Sequence, residues 1–160
     1  MDVAIRQFEP SDADAVVALS LRAWAPVFAS VEAVLGTTIF RRLHPDWRID
    51  QARAVAEVLS SADHRVWVPV VQGDVAGFVA VGLHRERSMG EILMIAVDPP
   101  AQRRGVASAL TTVALEWMRD AGMSVAMVET GGDAGHAPAR ATYEKAGFTL
   151  LPVARYFAAL

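Results

Sequence analysis

The chain has no cysteine. Disulfides are therefore excluded, as is any covalent acyl-enzyme on a cysteine thiolate. No such staple is needed, because a chain of 160 residues with 53% hydrophobic content can bury roughly 70% of its unfolded surface. One globular domain spanning residues 1–160 is the simplest organisation, and the lack of thiols fits a cytoplasmic setting. Lysine is nearly missing too: Lys145 is the sole one, and arginine carries almost all the positive charge. The net charge of −3 argues against an extended nucleic-acid surface, so no nucleic-acid partner is expected. No apolar stretch approaches 18 residues without a charge or break, so no membrane span is expected. The first six residues lack the basic-then-apolar layout of a signal peptide. His44, His64 and His84 are scattered singly, with no metal-ligand spacing, and no metal is expected.

What is present concentrates in ten residues, Asp98-Pro99-Pro100-Ala101-Gln102-Arg103-Arg104-Gly105-Val106-Ala107. The apolar run Ile92-Leu93-Met94-Ile95-Ala96-Val97 leads in, and a helical pattern from Ser108 to Met118 leads out. A buried strand thus ends at a proline pair, turns through a basic loop and opens a helix. The first N–H groups of a helix have no intrahelical partner and carry partial positive charge, which suits phosphate. Gly105 allows close backbone approach, and small Ala107 and Ser108 keep the first turn uncrowded. The sole lysine lies far downstream, which excludes a Gly-x-x-x-x-Gly-Lys-Ser/Thr loop. Gly105 stands alone, which excludes a Gly-x-Gly-x-x-Gly dinucleotide fingerprint.

What remains is Gln-x-x-Gly-x-Ala after Val-Asp-Pro. It resembles the acyl-coenzyme A signature of the GNAT N-acetyltransferase superfamily. A second motif, Ala139-Arg140-Ala141-Thr142-Tyr143-Glu144-Lys145-Ala146-Gly147-Phe148, resembles that family's tyrosine-bearing helix and its Gly-Phe exit. Gly147 is placed for a left-handed helix C-cap. Seven residues before Tyr143 the family usually has an asparagine that contacts pantetheine, and this chain has His136.

Along the chain, alternation predicts a strand over residues 2–8. Ser11, with Asp14 three residues on, reads as the N-cap of a helix over 15–24. Further helices are expected over 31–42 and 47–60, and strands over 65–71 and 75–83 around a Gln72-Gly73-Asp74 turn. A central strand (91–97), a helix (103–120) stopped by Gly122 and a short strand (125–129) follow. A glycine-rich loop (131–135), a last helix (136–146) and two short strands over 148–157, broken near Pro152, complete the order. The order is similar to the GNAT fold: an α/β (α+β) domain with a mixed, mostly antiparallel sheet flanked by helices.

The resemblance implies an acetyltransferase that uses acetyl-CoA and attacks the thioester directly with a primary amine. It implies that pantetheine pairs with the strand at Ile95, Ala96 and Val97. Arg103, Arg104, Gly105, Val106, Ala107 and Ser108 are then expected to cradle the pyrophosphate, with His136 in place of the usual asparagine. Tyr143 is expected to donate to the departing thiolate, and an N–H near Ile95 to meet the oxyanion. Glu129 and Glu91 are the candidate bases. An alkylamine with a pKa of ~10.4 needs a base more than an α-amino group of ~8 does. The acceptor is expected to be a small-molecule or peptide amine, with a homodimer compatible. Trp24, Trp47 and Trp67 read as core before acceptor pocket, and Arg155 and Tyr156 as neighbours of the cleft. Two other readings compete: a catalytically silent acyl-CoA sensor or interaction module on the same fold, and an unrelated nucleotide-binding α/β domain.

Overall fold

A computed structural model describes residues 3–160. Six strands form one sheet: β1 (Ala4–Gln7), β2 (Arg65–Val71), β3 (Asp74–Val75), β4 (Gly77–His84), β5 (Met89–Val97) and β6 (Val125–Val128). The order is β1-β2-β4-β5-β6, with two-residue β3 folded back on β2. Pairings are antiparallel except for β5 with β6, which is parallel. Five α-helices, α1 (Ala13–Leu35), α2 (Thr37–Leu43), α3 (Trp47–Ser60), α4 (Val106–Asp120) and α5 (Ala137–Lys145), complete the described elements.

Period-two alternation sorts the strand residues into two cores. On one face Trp67, Val79, Val81 and Ile92 pack with Leu110, Ala114 and Met118 of α4. On the other, Val66, Val68, Phe78 and Ala80 pack with Val16 and Leu19 of α1 and Val55 of α3. The sheet is thus the middle of three layers. α4 lies close enough that Met118 occupies the space a side chain at Gly90 would need. Gly77 is held similarly: a Cβ there would stand 2.5 Å from the Ala96 carbonyl oxygen.

The alternation of β5 reverses once. Ala80 faces Met94 and Val81 faces Ile92, so Leu93 is an extra residue on β5. Before this bulge Ile92 points to α4; after it Met94 and Ala96 point to the opposite core. One inserted residue flips every later side chain and bends the strand.

The N-terminal helices depart from expectation. Helices over 15–24 and 31–42 are instead one 23-residue helix followed by the seven-residue α2. Pro26 sits inside α1 and removes one backbone bond, but packing against the sheet and α3 carries the helix through. Ser11 is not the cap. A 3-10 turn over Pro10–Asp12 precedes α1, and Asp12 becomes its N-cap residue. The Asp12 carboxylate accepts from the Glu9 N–H (2.8 Å) and from two Arg6 nitrogens (2.7 and 2.8 Å). Contrary to the expectation of no membrane span, Pro10–Leu35 is apolar and long enough to cross a membrane by length and composition. Val16, Leu19 and Ser20 of that helix are nonetheless fully buried in the protein.

The strands expected over 148–157 do not form. Residues 148–160 carry no secondary structure, and Leu151, Val153 and Tyr156 are exposed. Pro152 cannot donate to a ladder, and no described strand is paired with this segment. It is tied instead by Arg155 to Glu129 and by Arg42, whose Nη1 donates to the Leu160 carbonyl (2.9 Å).

Candidate functional site

β6 pairs with β5 only from Met89↔Val125 to Ile92↔Val128. Pairing stops where the Leu93 bulge bends β5, and among the described residues no strand adjoins Leu93–Val97 on that side. The split exposes strand backbone, because alternate residues of an extended chain turn their N–H and C=O groups to the same edge. Ile95, Ala96 and Val97 lie along it. The Val97 carbonyl accepts from the Gln102 side-chain amide (2.9 Å), which folds the next loop back on the strand end.

At its open end the strand runs into a 3-10 turn over Pro99–Ala101 and then the basic loop. Arg103 (φ +59°) and Gly105 (φ +80°) are both left-handed, and Gly105 is the N-cap of α4. The helix therefore starts at Val106, three residues later than the expected 103. The first intrahelical bond of α4 is donated by Ala109 to Gly105, leaving the N–H groups of Val106, Ala107 and Ser108 at the helix mouth. Arg103 and Arg104 are both exposed. Arg22 of α1 clamps the preceding Asp98 in a bidentate pair, Nε to Oδ1 at 2.9 Å and Nη2 to Oδ2 at 2.7 Å.

Tyr143, on α5, is buried and packs edge-on against Phe148 with ring centroids 5.8 Å apart. Burial pushes its phenol up to about 12. No buried side-chain oxygen or nitrogen among the described residues lacks a hydrogen-bond partner, and the Tyr143 hydroxyl makes no hydrogen bond there. The hydroxyl therefore opens onto accessible space rather than ending in the core.

The two candidate carboxylates sit differently. Glu129 follows β6 and is 74% exposed, with Arg155 Nη2 at 3.3 Å from its Oε1. Glu91 is on β5, 24% exposed, and its Oε2 stands 2.6 Å from Nε2 of His84 at the end of β4. His136 ends a 3-10 turn over Ala134–His136, and its Nδ1 is hydrogen-bonded to Asp133. The Asp133 carboxylate also accepts from Ser30 Oγ of α1 (2.5 Å), and Arg140 Nη1 donates to the Gly131 and Asp133 carbonyls (2.6 and 2.8 Å). Burial works to raise the Asp133 pKa, but hydrogen bonds from Ser30 and His136 outweigh it and hold it below the ordinary range.

These elements match a known pattern as a set. The model of the acetyltransferase (GNAT) family matches residues 33–148. The chain belongs to the GNAT acetyltransferase family. It is 34% identical over 150 residues to a mycothiol acetyltransferase of Acidothermus cellulolyticus, covering 92% of this chain and 45% of that protein. The chain thus spans about half the length of the curated relatives it matches first. Among solved structures it resembles one described as a GNAT-family acetyltransferase from Desulfovibrio desulfuricans (25% identity, TM-score 0.70), covering 94% of this chain and 87% of that one. It also shares its fold with an aminoglycoside N-acetyltransferase in complex with CoA (15% identity, TM-score 0.67), covering 99% and 95% of the two chains.

Several contacts around these residues have no signature in the sequence. His84 reads in the sequence as an isolated polar residue, because only the β4–β5 register brings it to Glu91. Asp133, which holds His136, is itself held by Ser30, and Arg140 ties down the same loop, residues up to 110 positions apart in sequence. The Leu93 bulge that opens the sheet has no local signature within an apolar run. No group of three or more His, Cys, Asp or Glu able to hold a metal occurs among the described residues.

Proposed function

We propose that this chain transfers an acetyl group from acetyl-CoA to a primary amine by direct attack in a ternary complex. The observation that carries the reading is the split between β5 and β6, continuous at its open end with the mouth of α4. One extended ligand bearing amides at one end and a diphosphate at the other fits both. Pantetheine amides pair with the backbone at Ile95, Ala96 and Val97, as a strand would. The pyrophosphate meets the N–H groups of Gly105, Val106, Ala107 and Ser108, and Arg103 and Arg104 supply guanidinium for phosphate. His136 is held by Asp133 through Nδ1 and turns its other ring nitrogen to pantetheine.

An ammonium must lose a proton before it attacks. Glu91 is the carboxylate we assign to it, being half-buried on the central strand, whereas Glu129 is exposed and engaged by Arg155. Attack on the thioester carbonyl gives an oxyanion that an N–H near Ile95 receives. Collapse expels the thiolate, and Tyr143 donates a hydrogen bond to that sulfur. Full proton transfer from a phenol at about 12 to a thiolate whose acid lies near ~8.5 is unfavourable by about 5 kcal/mol. Tyr143 therefore stabilises the leaving sulfur, and the cationic nitrogen of the adduct, which must lose a proton as the neutral amide forms, supplies the one that makes the thiol.

The relatives' names include mycothiol acetyltransferase and aminoglycoside N-acetyltransferase, so amines on polar small molecules are the acceptors to try first. Thermal shift with CoA, ATP and NAD tests the donor, and release of free CoA across an amine panel tests the transfer. CoA alone should raise the Tm, since a ligand of the native state stabilises by mass action. Tight CoA binding with no release on any amine would leave a silent acyl-CoA sensor instead.

A further inference from the structure

His84 and Glu91 form a half-buried pair that acetyl transfer by a lone carboxylate does not explain. They sit diagonally across the β4–β5 ladder: Gly82 is opposite Glu91, and His84 is opposite Met89. Both follow the alternation onto the α1/α3 face, since Phe78 and Ala80 of β4 point there and Glu91 alternates with Ile92 on β5. The histidine is the outer member, 40% exposed against 24% for the glutamate. An imidazole nitrogen is a stronger base than a carboxylate oxygen, so a ring in direct contact with the carboxylate offers a proton taken from the amine a further acceptor.

We propose that His84 is the proton acceptor of this site, with Glu91 as the group through which the proton reaches it. The inference rests on the acetyl-transfer reading and on Glu91 as its carboxylate. The carboxylate of Glu91 takes a proton from the ammonium, breaking N–H and forming O–H. That O–H then breaks as Nε2 of neutral His84 forms N–H, restoring the carboxylate beside an imidazolium. Nδ1 gives its proton to water, and exchange with water returns the ring to its starting tautomer. The elements of that face carry Asp14, Arg22 and Glu32 on α1 and Arg48, Asp50, Arg53 and Glu57 on α3, with Arg85, Glu86 and Arg87 in the turn after β4, whereas Arg65 lies over Trp117 on the opposite face.

The test is His84→Gln, which keeps a hydrogen-bonding side chain and removes the titration. For an alkylamine, kcat/KM at pH 7 should fall ~10–100-fold with KM for acetyl-CoA unchanged, and added imidazole should restore part of it. For an amine already unprotonated at pH 7, such as an aromatic amine, the variant should stay within about two-fold, since no proton precedes attack. Equal losses on both amines, or none on either, would overturn the proposal. If wild type acetylates no amine, the transfer reading fails by itself. The pair is then judged by NMR of the His84 ring, whose Nε2 resonance should shift in Glu91→Gln; an unchanged resonance overturns the coupling.

Discussion

Tyr143 shows how one side chain can be prepared by burial alone. Its phenol is raised to about 12 because the charged form is poorly solvated beside Phe148, so it remains a donor at any pH the protein meets. Removing the hydroxyl in Tyr143→Phe should lower kcat about 10–100-fold, the worth of a hydrogen bond to a charged group, while KM for acetyl-CoA stays within about two-fold. Steady-state kinetics on both substrates checks this. The pH profile carries a sign as well: Tyr143 should contribute no descending limb in kcat between pH 8 and 10, and a limb lost in the phenylalanine variant would refute that. Asp12 illustrates the opposite shift. Hydrogen bonds from Arg6 hold its carboxyl below the ordinary value, against the opposing effect of burial. A depressed carboxyl contributes stability above its unfolded pKa and loses it as pH falls through the folded one. Asp12→Asn should therefore lower Tm at pH 7, and the gap to wild type should close below about pH 4; thermal melts across pH decide.

At the scale of elements, the mouth of α4 and the β4–β5 contact make separable demands on glycine. A Cβ at Gly105 would touch nothing within 4 Å, but φ is +80°. Gly105→Val should cost the fold on the order of 1–2 kcal/mol of left-handed strain and weaken CoA binding at least about ten-fold by filling the phosphate space. Calorimetry with CoA beside a thermal melt separates the two effects, and unchanged affinity would remove Gly105 from the cradle. Gly77 has ordinary φ, and its constraint is steric. A side chain there meets the Ala96 carbonyl oxygen, a backbone atom that cannot swing aside. Gly77→Val should therefore push β5 off β4 and cost about 1–3 kcal/mol, read as a lower denaturation midpoint at unchanged slope. If the proposed pantetheine edge is correct, CoA affinity falls with it.

Across the whole molecule, the sheet works as two pieces that share their first half. β5 and β6 run together to Ile92 and then part, and α1 closes the arrangement. Arg22 holds Asp98 at the strand end, and eight residues on Ser30 holds Asp133 of the loop after β6. One helix thus braces both sides of the split, so loosening it should affect donor binding before global stability. The exposed Arg22–Asp98 pair contributes little stability on its own. Arg22→Ala should thus shift Tm by a degree or two yet raise KM for acetyl-CoA several-fold, and parallel melts and kinetics would show it. A large Tm loss with unchanged KM would make the clamp merely structural.

Sequence alone determined the elements whose signals are local: the apolar β5 run, the proline-ended strand, the glycine that opens α4, and the amphipathic helix behind it. Gln102 to Ala107 and the Tyr143 helix also sufficed to suggest the family that residues 33–148 bear out. Tertiary structure decided what depends on partners far apart in the chain. Packing carried α1 through Pro26, where the local rule predicts a break. Lack of a neighbouring strand left residues 148–160 unpaired despite their apolar content. The Leu93 bulge and the pairing of His84 with Glu91 exist only because β4 and β5 adopt one register. A register is a property of two strands together, and neither strand's residues state it alone.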